Sequence, residues 1–213
     1  MSTVAWIGTG VMGNGMCAHI LEAGHTVRVY NRTKEKANEL VKAGAEWKDS
    51  PAEAVRGAEY VFAIVGYPSD VEQVFLGENG IIASADEGAI ITDMTTSTPT
   101  MAEKIYEQAK RRGVAALDAP VSGGDVGAKN GTLAIMAGGD EDAFEKVRPF
   151  FDLMGENIML MGGPGKGQHT KMSNQILIAG TMIGVVESLL YAYRAGMDLE
   201  EVIEVIGKGA ASS

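Results

Sequence analysis

The sequence predicts an α/β fold, a doubly wound and largely parallel sheet followed by an all-α segment. Short β-branched or apolar runs alternate with longer helical patterns as far as Leu117, which is how repeated βαβ units read. Two turn signals, Asn130-Gly131 and Gly138-Gly139, then flank a lone apolar run that fits an antiparallel edge. Past Gly162-Gly163-Pro164-Gly165 the pattern becomes one almost uninterrupted helix.

In chain order, Thr3–Ile7 is a first strand, residues 12–23 a helix ended by Gly24, and Thr26–Tyr30 a second strand. Residues 33–43 form a helix closed by Gly44, 45–47 a short strand, and Ser50-Pro51 opens a helix with proline in its first turn. Strands follow at 60–65 and 89–92, helices at 69–75 and 98–112, the latter ended by Gly113. Strands at 114–117, 132–137 and 158–161 and a helix from Asp140 or Glu141 to Phe151 complete a first domain, 1–163. The second domain, 164–213, holds the long helix 168–195 and another at 198–207, too little to bury both faces; it reads as incomplete, or as completed by a partner chain. Glu187 interrupts the most apolar stretch, 176–192, and would be costly in lipid, so the stretch reads as a buried helix and no membrane is expected.

Of 213 residues, 46% are hydrophobic and 22% charged, a composition able to build a core. Eighteen basic against 28 acidic residues leave a net charge of −10, which opposes nonspecific binding to nucleic acid but permits a local pocket for one phosphate. The single cysteine, Cys17, cannot form an internal disulfide, and the first residues carry no basic, apolar leader, so a cytoplasmic protein is expected. His19, His25 and His169 lack metal-ligand spacing, and no metal is expected. Cys17 and the 12 methionines read as core filling.

Gly8-Thr9-Gly10-Val11-Met12-Gly13 ends the first strand and opens the first helix, the context required of a Rossmann-type dinucleotide fingerprint. Gly8 permits the tight turn, Gly10 the approach of backbone amides to a pyrophosphate, and Gly13 close packing of the helix, whose N-terminus favours an anion. At the end of the second strand, where an acid would bind a ribose 2′-hydroxyl, stands Asn31-Arg32-Thr33, with Lys36 a turn later. NADP is therefore expected over NAD, and Asn31→Asp is expected to move preference toward NAD. The alternative is a solvated Arg32 and a helix-capping Thr33.

Two later motifs carry polar groups. Asp118-Ala119-Pro120-Val121-Ser122-Gly123-Gly124 is a loop of small residues suited to a carboxylate or hydroxyl, or an ordinary βα loop with Asp118 as its brace. On the long helix Lys171 and Asn174, three apart, share a face, and the lysine reads as an acid/base or as a surface charge.

Taken with Tyr67-Pro68 and Asp93-Met94-Thr95-Thr96, these motifs make the chain resemble, over essentially its whole length, the β-hydroxyacid dehydrogenase family. The 3-hydroxyisobutyrate dehydrogenases and related short semialdehyde reductases are nearest. The resemblance implies Lys171 as acid/base, substrate held by Ser122, Gly123, Gly124 and Asn174, and a cofactor lined by Tyr67, Pro68 and Thr96. It also implies a helical domain extending past Ser213 with a further lysine near the nicotinamide. Decarboxylating 6-phosphogluconate dehydrogenases usually carry His where this chain has Asn174. The expected function is an NADP-dependent oxidoreductase, with NAD also admitted, acting on a small 3-hydroxy acid or its semialdehyde. A non-catalytic NADP-binding module and an imine reductase on the same architecture stand as alternatives, the latter opposed by Lys171. The long apolar helix is expected to bury against a second subunit, giving a dimer or tetramer.

Overall fold

In the computed structural model, which describes residues 1–209 and 211, Thr3–Ile7 (β1) lies at the centre of a six-stranded parallel sheet. The other strands are Thr26–Tyr30 (β2), Glu46–Trp47 (β3), Tyr60–Ala63 (β4), Ile90–Asp93 (β5) and Ala115–Asp118 (β6), in the order β3-β2-β1-β4-β5-β6. Successive side chains of a strand point to opposite faces, and β1 supplies both. Val4 and Trp6 join Met16, Ile20, Phe62 and Phe151 in one core, whereas Ala5 and Ile7 join Val55, Val61, Phe75 and Ile91 in the other. The order reverses between β1 and β4, which opens a crevice at the carboxyl ends of those strands.

The helices begin and end where local chemistry sets them. Val11–Glu22 (α1) follows Gly10 and stops before Gly24, whose φ is +87°. Pro51–Val55 (α3) is capped by Ser50 Oγ, which accepts from Glu53 N, and Pro99–Lys110 (α6) by Thr98 Oγ1, which accepts from Met101 N. The helix expected at 33–43 is a 3-10 turn, Lys34–Ala37, and a short helix, Asn38–Lys42 (α2). Between β4 and β5 lie Pro68–Leu76 (α4) and a short helix absent from the sequence-based expectation, Ile81–Ser84 (α5).

The run at 132–137 does not edge the main sheet. As Leu133–Ala137 (β8) it is the middle of a second, three-stranded sheet, antiparallel to Val121–Ser122 (β7) and parallel to Gly155–Leu160 (β9). The last bond of β6 to the first sheet is Ala119 N to Asp93 O, and an isolated bridge, Asp118 to Gly138, joins the two sheets. The glycine-rich 124–130 segment is a helix, Gly124–Asn130 (α7), packed against α1: a Cβ on Gly15 would crowd the Ala128 carbonyl. Glu141–Met154 (α8) covers the same face.

The chain divides into two compact units, Met1–Lys171 and Met172–Ser213. Lys166–Arg194 (α9) supplies the end of the first and most of the second, and Leu199–Gly207 (α10), capped by Asp198, follows. The stretch expected to be buried is exposed: Ile176, Leu177 and Tyr191 are 74, 72 and 76% accessible. Apolar side chains run round the whole helix, and among the described residues the second unit offers only α10 to pack on it. Its length and apolarity would suit a membrane span, but Glu187 lies within its apolar stretch.

Candidate active site

Three glycines shape the turn between β1 and α1. Gly8 has φ +99°, and a Cβ there would overlap the Ile64 carbonyl; a Cβ on Gly13 would overlap the carbonyl of Gly8. Gly10 faces open space. Two side chains pin the turn: Trp6 Nε1 donates to Gly8 O at 2.8 Å, and Thr9 N donates to Asn31 Oδ1 at 3.0 Å. The first turn of α1 has neither an acidic residue nor a side-chain cap, so its N–H groups stay available to an anion.

The turn borders a cleft of about 700 Å³ whose lining includes Gly8, Gly10, Val11, Met12, Gly13, Asn31, Arg32, Thr33 and Lys36. That volume, the glycine cradle and the uncapped helix start fit a dinucleotide. Thr9 is buried beneath the turn rather than lining the cleft. Asn31 braces the site: besides accepting from Thr9 N, its Nδ2 donates to Thr33 O at 2.7 Å. Arg32 pairs with Asp70 across the cleft at 3.1 Å, and the other oxygen of Asp70 accepts from Tyr67 N. The arginine side chain is 83% exposed, and a pair so solvated is worth at most about 1 kcal/mol, so Arg32 is readily redirected to another anion. Tyr67, Pro68 and Thr96 are exposed beyond the carboxyl ends of β4 and β5, outside the cleft lining.

A second group of polar residues gathers where α9 begins. Asp118, 4% exposed, accepts from Gly165 N and Gln168 N, both at 2.8 Å, so a carboxylate some 50 residues upstream caps this helix. Gly167 is glycine because a Cβ would overlap the Met136 and Asp118 carbonyls. Gln168 is fully buried, its amide donating to Thr95 O and accepting from Ser97 N. One turn on, Lys171 is 8% exposed, and burial pulls its ammonium below the usual lysine range. Among the described residues no carboxylate lies within ion-pairing distance of it.

Asp93, 2% exposed, accepts from Thr95 N through Oδ1, while its Oδ2 has no partner. Burial pushes its pKa up to about 7, opposed by the Thr95 hydrogen bonds and aided by the charge of Asp118. Burial also raises Asp118, against the amides it accepts from. Ser122 is half-buried in β7, and Gly123 and Gly124 are exposed with φ of +136° and +64°. Asn174 belongs to the second unit, where Nδ2 donates to Gln175 Oε1.

Residues 3–163 match the NAD-binding domain of 6-phosphogluconate dehydrogenase, and residues 165–213 the NAD-binding segment of NADP-dependent 3-hydroxyisobutyrate dehydrogenase. The chain belongs to the β-hydroxyacid dehydrogenase family. As a member of it, the chain is an NAD(P)-dependent oxidoreductase. It is 56% identical to an uncharacterized oxidoreductase of Bacillus subtilis, covering 99% of this chain and 73% of that one. It is also 40% identical to the 2-hydroxy-3-oxopropionate reductase of Escherichia coli, covering 99% and 72%. The solved 3-hydroxyisobutyrate dehydrogenase of Mycobacterium tuberculosis, studied with L-serine, superposes with a TM-score of 0.90 at 31% identity, over all of this chain and 72% of that one. Imine reductases of Myxococcus stipitatus share the β-hydroxyacid dehydrogenase fold at 20 to 23% identity, a likeness of fold alone. Trp6, Asp70 and Gln168 escape a sequence reading. Trp6 bonds the carbonyl of Gly8 in the turn that follows it, whereas Asp70 meets Arg32 and Gln168 meets Thr95 and Ser97 only because the fold brings those segments together.

Proposed function

We propose that the protein interconverts a small 3-hydroxy acid, 3-hydroxyisobutyrate-like, with its semialdehyde, using NADP in preference to NAD. The observation that carries this is Lys171: a primary amine, buried and without a carboxylate partner, its pKa lowered by desolvation. A bound nicotinamide supplies the hydride acceptor or donor. In the oxidative direction Lys171 Nζ takes the hydroxyl proton as the carbinol C–H bond gives up its hydride; in reduction it returns that proton to the carbonyl oxygen. Ser122, Gly123, Gly124 and Asn174 hold and orient the substrate. Support for the substrate class comes from the relatives: 2-hydroxy-3-oxopropionate is a semialdehyde, and L-serine is itself a 3-hydroxy acid. In this scheme residues 1–163 hold the cofactor, with Tyr67, Pro68 and Thr96 lining it, and residues 164–213 serve substrate binding and dimerisation.

Lys171→Ala is expected to lower kcat by roughly 10²- to 10⁴-fold with the NADP dissociation constant unchanged. Wild-type turnover in that variant removes the lysine from the mechanism. Because a neutral amine must accept the proton, oxidation is expected to accelerate with pH through a midpoint below that of an ordinary lysine, a midpoint absent from the alanine variant.

The NADP preference is best tested at Arg32. Asn31→Asp would keep an acceptor for Thr9 N but set a carboxylate oxygen against Thr33 O, confounding specificity with the shape of the turn. Losing a charge-assisted hydrogen bond to the 2′-phosphate should cut the NADP/NAD ratio of kcat/KM by roughly 10- to 100-fold in Arg32→Leu. An unchanged ratio rejects the assignment.

A further inference from the structure

Gln168 has no place in the chemistry above, yet it is fully buried with every polar atom engaged. Its backbone N donates to Asp118 Oδ2 at 2.8 Å, its Nε2 to Thr95 O at 2.7 Å, and its Oε1 accepts from Ser97 N at 2.9 Å. Thr95 in turn accepts from Val65 N through Oγ1 at 3.0 Å. Val65 and its neighbour Ile64 line the dinucleotide cleft, and the Ile64 carbonyl is the group against which Gly8 is pressed. An unbroken series of contacts thus runs from the glycine-rich turn through Ile64, Val65 and Thr95 to Gln168, three residues before Lys171 on the same helix.

We propose that Gln168 is a positioning residue: its side-chain amide registers the first turn of α9 against the cofactor cleft and so fixes where the Lys171 amine stands. The Asp118 carboxylate holds the backbone of that turn at Gly165 N and Gln168 N, both bonds running to one side chain of β6; the amide adds two further bonds to a different loop, 95–97, and so ties the turn to the cleft side as well. The inference rests on the reading of Lys171 as acid/base for its kinetic consequence, though not for its structural one.

The test uses the full chain with Gln168→Met and Gln168→Glu. Methionine keeps the volume and abandons both bonds. A displacement near 1 Å costs about 10²-fold in rate, so kcat should fall by roughly 10- to 100-fold while the NADP dissociation constant stays put. Glutamate keeps an acceptor for Ser97 N but, ionised, opposes Thr95 O; protonated, it donates there. In the reductive direction the Gln168→Glu to wild-type ratio of kcat should therefore climb as pH falls. Competitive acetylation of the cofactor-free protein reads the amine directly. Lys171 should react with an ordinary lysine pH dependence in Gln168→Met and with a lowered midpoint in the wild type.

Wild-type kcat in both variants overturns the proposal. So does a flat ratio with pH, or a fall in NADP affinity that tracks the fall in kcat, which would mark a merely structural side chain. Lys171→Ala separates the two ideas. If that variant turns over normally while the acetylation midpoint still moves in Gln168→Met, the acid/base reading fails and the positioning role stands.

Discussion

Asp93 holds its proton well above the ordinary carboxylate range because it lies in the core with one oxygen unpartnered and a second carboxyl, Asp118, close by. Its ordinary pKa of 3.8 rises to about 7 in the folded protein. Between these values the unfolded chain releases the proton and the folded one retains it, so stability declines as pH rises through that window and levels off above it. Asp93→Asn keeps an acceptor for Thr95 N and has no charge to bury. It is expected to melt above the wild type at pH 8 and level with it near pH 4 in calorimetry; an equal offset at both would contradict the assignment. At this scale much of the turn was legible. Glycine at 8 and 13 announces a conformation and a close approach no other residue permits, and Lys171 follows a motif. Gln168 and Trp6 were not legible, because a glutamine near a helix start reads as solvated and a tryptophan in a strand as packing. Their partners are Thr95 and Ser97 for the one and the Gly8 carbonyl for the other.

Among the elements, the six parallel strands were readable from their apolar runs. The ones that escaped are those whose pairing is decided elsewhere in the chain. β7 is two residues long and exists because β8 offers it an edge; α7 begins at two glycines and is held by α1. The start of α9 is similar, since its cap comes from β6 rather than from the residues before it. Asp118→Ala would strand the buried Gly165 and Gln168 amides at about 1–3 kcal/mol each, so a clear drop in melting temperature is expected. A wild-type melting curve would mean that water replaces the carboxylate without loss.

For the molecule as a whole, the feature that stands out is the apolar surface that α9 leaves accessible. Ile176, Leu177, Met182, Ile183, Val186 and Tyr191 are all more than half accessible, a larger apolar surface than a solitary chain ordinarily presents. We propose that a second copy covers it. Sedimentation at micromolar concentration is expected to give a dimer or tetramer, and Ile183→Glu to shift it toward monomer; a wild-type monomer would refute this. The central strand carries a last consequence. Since Val4 and Trp6 feed one interior and Ala5 and Ile7 the other, adding or deleting a single residue in Thr3–Ile7 would exchange the two sets and pull the tryptophan off the turn it secures. Natural variants of this protein should therefore keep the spacing from residue 3 to residue 8 invariant in length, whatever letters they write there, while gaining and losing residues freely in exposed loops.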